Sequence, residues 1–108
     1  MTQDDVSLPD RDSLETEAGD IAWVELQRFF AAGRVIAVSV DLDLIEVALA
    51  CAGDDVARFD VWTRAGRVGP VTDAQAREWL NANALMRAVV AKPWVLVQPR
   101  LVIQAGHA

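Results

Sequence analysis

The stretch spanning residues 88–98 constrains this chain more than any other. It is the most strand-like part of the sequence. Its centre, Val95, Leu96 and Val97, is apolar on both faces, as a covered central strand would be. Pro93 has no N–H to give to a ladder, so it marks a bulge or a break between two short strands. A second strand is expected over residues 34–40, where Ile36, Val38 and Val40 alternate with Val35, Ala37 and Ser39.

Helical periodicity supplies the cover for these strands. Helical signal begins near Ser13 and strengthens at Asp20, a good N-cap. Ala22, Trp23, Leu26, Phe29 and Phe30 then follow at helical spacing, and Gly33 stands where a helix usually ends. Asp41 is expected to cap a helix over residues 42–52, which is apolar except for a narrow wet stripe of Asp43, Glu46 and Ala50. That helix should be central and buried. Past Gly53, Asp54 is expected to restart a helix with Val56, Phe59 and Trp62 inward. Its outer side would pair Asp54 with Arg58 and Asp60 with Arg64, and Gly66 closes it. Residues 67–71 form a short extended piece. Thr72 and Gln75 make a capping box for a further helix with Ala76, Trp79 and Leu80 inward, fraying around residues 81–83. The expected fold is α+β: three or four helices packed on one face of a small mixed β-sheet.

A length of 108 residues leaves room for a single domain, and an apolar fraction of 53% gives it a core without metals or disulfides. Residues 1–12 are polar, acidic and contain Pro9, so they read as a disordered, dispensable tail. Residues 13–100 are the domain, and residues 101–108 are a C-terminal extension opening on Leu101, Val102 and Ile103. Cysteine occurs once, which fits a reducing compartment. The N-terminus lacks the charged and apolar regions of a signal peptide, and no apolar run approaches the ~20 residues of a membrane span. A cytoplasmic location with no membrane contact is expected.

The charge is uneven. Residues 1–20 hold seven acids against Arg11, residues 1–55 sum to −10 and residues 56–108 to +4. Bulk acidity disfavours nucleic acid as a partner, while the basic second half keeps an acidic ligand open.

Several blocks of residues together resemble a known family. They are Trp23-x-x-Leu26-Gln27-x-Phe29-Phe30-Ala31-x-Gly33-Arg34-Val35, then Leu42-Asp43-Leu44, then Asp54-Asp55, and above all Val89-Val90-Ala91 followed by Pro93-Trp94-Val95-Leu96-Val97-Gln98. The chain resembles a bacterial family of domains of unknown function, family 2288, over about residues 13–99. The resemblance implies no activity, cofactor or catalytic residue. Residues 101–108 lie outside it.

Among the carboxylates, Asp41, Asp43 and Glu46 are the candidates for a cation site of the Mg²⁺ type, and Asp54 and Asp55 follow them. Helix capping and the positive end of a helix dipole explain the same acids without any ion, so no metal is expected. His107, the one histidine, falls in the C-terminal extension, which disfavours Ser-His and Cys-His catalysis. Cys51 reads as a small core residue. No zinc ligand set, Walker loop or dinucleotide fingerprint is present, and no catalytic residue and no cofactor are expected. The four Trp read as core, except that Lys92 and Trp94, at the expected bulge, form a possible binding surface. Of the basic residues in the second half, most have acids at helical spacing and read as a solvated face.

Three functions follow, in this order. The first is a non-enzymatic binding or assembly module that self-associates, most simply as a homodimer held partly by the strand-forming C-terminal third through an uncovered strand edge. The second is a module taking an acidic ligand or nucleic acid on the Arg-rich half. The third, well behind, is a carboxylate- and cation-dependent enzyme.

Overall fold

A computed structural model describes residues 10–100. Five α-helices, one 3-10 turn and five strands follow one another in the order α1 (Arg11–Glu17), β1 (Gly19–Ala22), the 3-10 turn (Trp23–Leu26), α2 (Gln27–Ala31), β2 (Val35–Val38), α3 (Leu44–Ala52), α4 (Val56–Arg64), β3 (Val68–Pro70), α5 (Asp73–Asn81), β4 (Leu85–Ala91) and β5 (Trp94–Pro99). The class is α+β, with more helices than the three or four expected.

The five strands form one mixed sheet in the order β1-β4-β5-β2-β3. Strands β4 and β5 are an antiparallel hairpin that turns at Lys92 and Pro93, whose shared peptide is cis. Pro93 therefore breaks the strand-like stretch into two. Strand β5 runs parallel to β2, and β1 and β3 add antiparallel edges. Val95 to Val97 thus occupy the middle of the sheet, as their two apolar faces required.

The strands alternate between two separate cores. Ile36 and Val38 of β2, Val68 of β3, Val89 and Ala91 of β4 and Leu96 of β5 face α1, α3 and α4. Val35, Met86, Val95 and Val97 face the other way, toward the 3-10 turn, α2 and α5, with Trp23 and Trp79 edge to face at 5.0 Å. Helices therefore lie on both faces of the sheet, not on one. The correction has a simple cause: a strand apolar on both sides loses most of its burial unless both sides are covered.

Local signals succeed where chain chemistry alone decides. Thr72 and Gln75 exchange hydrogen bonds at the start of α5, and Gly66 follows α4 at a φ of +74° that suits glycine. Tertiary pairing overrides them elsewhere. Asp20 caps no helix; it lies in β1, opposite Arg87 of β4. The expected helix beginning there is instead a strand, a 3-10 turn and a five-residue helix. Helix α3 starts two residues later than expected, with Asp43 and not Asp41 as its cap, and Ala50 is buried. Helix α4 is capped by Asp55, and Val56 is 68% exposed instead of inward. Helix α1 is capped by Asp10 and includes Arg11 and Asp12. The rest of the expected tail, residues 1–9, and the extension, residues 101–108, lie outside the described residues.

Candidate functional site

The acids expected as cation ligands are each drawn to a different arginine. Asp43 caps α3 by accepting from the Ile45 amide at 3.0 Å, and its other oxygen takes Arg11 Nη2 at 2.7 Å, which ties α3 to α1. Arg11 beside it holds the Asp43 carboxyl below its ordinary range, and the backbone amides act in the same direction. Asp41 accepts a hydrogen bond from the Ser39 hydroxyl and pairs with Arg67 at 3.0 Å; the hydroxyl, and then the arginine, lower its pKa. Glu46 meets Arg58 of α4 at 2.5 Å. Among the described residues, no three His, Cys, Asp or Glu side chains converge as a metal site would require.

Arg58 thus reaches across to α3, not back to Asp54, and its guanidinium lies 4.9 Å from the centre of the Trp62 ring. Of the helical pairs expected on α4, Asp60 with Arg64 is formed, at 2.8 Å. Arg67 and Arg100 are bound to Asp41 and Asp20. Much of the basic second half is accordingly used inside the fold.

Lys92 and Trp94, expected to share a surface, line different cavities. Trp94 is 36% exposed and lies on the α3 and α4 side, in a hollow of about 290 Å³ with Ile36, Cys51 and Phe59. The Cys51 thiol there is half-buried and free; burial pushes its pKa up, and the charge of Asp54 adds to this.

Lys92 belongs to the larger feature, a groove of about 570 Å³ on the opposite face of the sheet. Its floor is Gly19 and Ile21 of β1, Ala88 and Val90 of β4 and Val95 of β5. Leu26 and Phe29 form one wall. Glu17 and Asp20 stand along the β1 side, while Arg34 stands on the β2 side and Lys92 at the hairpin turn. The groove exists because α2 is only five residues long and cannot roof the hairpin half of the sheet. It leaves Val90 46% exposed and Phe29 36% exposed. The sequence concealed it by presenting Phe29 as the inward stripe of a longer helix.

A second residue that sequence reasoning missed is Gln98. It is buried at the end of β5, and its Nε2 donates to the backbone oxygens of Ser39 at 2.8 Å and Leu42 at 2.7 Å. Those two bonds fasten the loop leading into α3. The block from Pro93 to Gln98 is therefore a complete structural unit: a turn, a central strand and a clamp.

A family model described as "Protein of unknown function (DUF2288)" matches residues 10–99, and the chain belongs to this family. The matched span runs from the cap of α1 to the last residue of β5, so it takes in every helix and strand among the described residues. No curated protein matches the chain. Among solved structures, the chain is similar to the solution NMR structure of PA1075 from Pseudomonas aeruginosa. The two are 40% identical, with a TM-score of 0.76 over 82% of each chain.

Proposed function

We propose that this domain is a non-enzymatic binding and assembly module that self-associates, with the cytoplasm as its setting. The observation that carries this reading is the unequal cover of the two sheet faces. The second face exposes Val90 and Phe29 around an apolar groove, and large apolar side chains gathered in this way are what an assembly surface presents. The groups with shifted proton affinities, Arg11, Asp41, Asp43 and Cys51, all lie away from the groove, and ion pairs or burial account for their shifts. A free Cys51 suits a reducing compartment. No helix among the described residues is long and apolar enough to cross a membrane.

The route to association differs from the one expected of the sequence. Strand β5 is central, so its edges are taken and it cannot add a second chain. What the C-terminal third contributes is a face, through Val90 and Val95. Leu101, Val102 and Ile103 lie outside the described residues. Sedimentation velocity of the intact chain at micromolar concentration tests the reading. A two-fold increase in mass is expected, and a monomer across the whole range overturns it.

A further inference from the structure

The groove carries its charges in an order that selects its own occupant. The acid Glu17 stands at the β1 side, and Arg34 faces it from the far side of the floor, beside the start of β2. Three strand spacings separate the two lips in the sheet order, about 14 Å at ~4.8 Å per spacing. Asp20 is partly engaged by Arg100, at 3.6 Å. Among the described residues, Glu17, Arg34 and Lys92 form no ion pair, and all three are exposed.

Resting on the self-association proposed above, we infer that two copies meet groove to groove about a two-fold axis running along the strands, each setting its acidic lip on the basic lip of the other. A two-fold axis in the plane of an interface brings the left side of one surface onto the right side of its copy. With the axis along the strands, Glu17 of one copy stands over Arg34 of the other, and the same pair forms again on the opposite side. With the axis across the strands, acid would stand on acid and base on base, and that repulsion disfavours the arrangement. The apolar floors then cover each other, and Val90 and Phe29 leave water. Such an interface uses the same patch on both copies, so assembly closes at two and does not run on into a fibre.

Charge reversal with rescue tests this. Glu17→Arg and Arg34→Glu should each weaken the dimer by about tenfold or more, because each substitution acts twice in a symmetric pair. The double variant exchanges the lips and should recover most of the affinity. Val90→Arg, at an exposed floor position, should leave a folded monomer. Analytical ultracentrifugation reads the affinities, and circular dichroism checks that each variant is folded. Raised salt should weaken the wild-type dimer. A dimer indifferent to both single reversals overturns the arrangement while leaving self-association standing, and so do single reversals that the double variant does not rescue. A monomeric wild-type chain removes the underlying reading and this inference with it.

Discussion

The two faces of the sheet are built from the same strands and finished differently. On the first face, α1, α3 and α4 supply seven, nine and nine residues of helix, and arginine pairs tie α1 to α3 and α3 to α4. On the second, the cover is a four-residue 3-10 turn, a five-residue helix and the nine residues of α5. The first face is covered by the chain's own helices except for the smaller hollow beside Trp94. The second is closed over Trp23, Met86, Trp79 and Val97 and then stops, leaving the hairpin half bare. The lesson is that a strand apolar on both sides states how much cover it needs without stating that its own chain provides all of it.

The largest expected effect asks whether the first face is as tightly closed as its burial says. Leu96 points into that face from the central strand and is fully buried. Leu96→Ala should cost about 3 kcal/mol, lowering the melting temperature by roughly 15 °C, because a buried cavity adds to the lost transfer energy. Differential scanning calorimetry measures it. A loss below about 1 kcal/mol would mean that the helical layer collapses onto the gap and is looser than it looks.

Next comes the clamp that holds this layer's entry loop. Gln98→Leu keeps bulk but strands the Ser39 and Leu42 oxygens, which should cost about 2 kcal/mol. Hydrogen exchange should rise first at residues 39–46. Uniform loss across all strands would show that Gln98 acts through the sheet and not through the loop.

The sharpest comparison uses two neighbours on one strand. Val89 is 1% exposed on the first face, and Val90 is 46% exposed on the second. Val89→Ala should cost about 1.5 kcal/mol in urea unfolding, whereas Val90→Ala in the dissociated chain should cost only a few tenths. Equal losses would show that the second face is covered by something other than a second copy, and the comparison between faces would fail.

How much of this could be read from sequence depends on which forces set each element. The capping box at Thr72 and Gln75, the glycine stop at Gly66, the buried α3 and the central position of Val95 to Val97 are each fixed by residues within a few positions of one another. Strand β1 was not legible, because its Gly19, Asp20, Ile21 and Ala22 contain one β-branched residue and are held extended by pairing with β4. The second helical layer was missed for the same reason: no local pattern says on which side of a sheet a helix will pack. Lys92 and Trp94, expected to share a surface, line different cavities because the hairpin turns at Pro93 between them. The acids at Asp41, Asp43 and Glu46 clustered in sequence, yet their arginine partners come from α1, α4 and the approach to β3, which no spacing reveals.

The smallest effect concerns the ion pairs that close only the first face. Asp43 has its pKa lowered from the ordinary 3.8, with the Arg11 hydrogen bond as the largest cause. A carboxylate whose folded pKa is depressed binds protons less readily folded than unfolded, so its contribution to stability is complete above the ordinary value. That contribution is lost as pH falls through the folded value. Stability should therefore decline below about pH 4, with Asp41, also lowered, contributing in the same window. Asp43→Asn separates charge from capping, since asparagine caps a helix about as well as aspartate while it cannot attract Arg11 as an anion. At neutral pH the variant should lose only slightly, because both partners are more than 40% exposed and water screens the pair. Its decline between pH 5 and pH 3 should be shallower than the wild type's, measured as the urea midpoint at each pH. Arg11→Met should flatten the same limb, since the depression requires the arginine. The second face gives the control: neither change should alter the affinity of the proposed dimer, because neither Arg11 nor Asp43 lines the groove. If acid sensitivity stays unchanged in Asp43→Asn, the pair contributes nothing measurable, and the first face owes its closure to apolar packing alone.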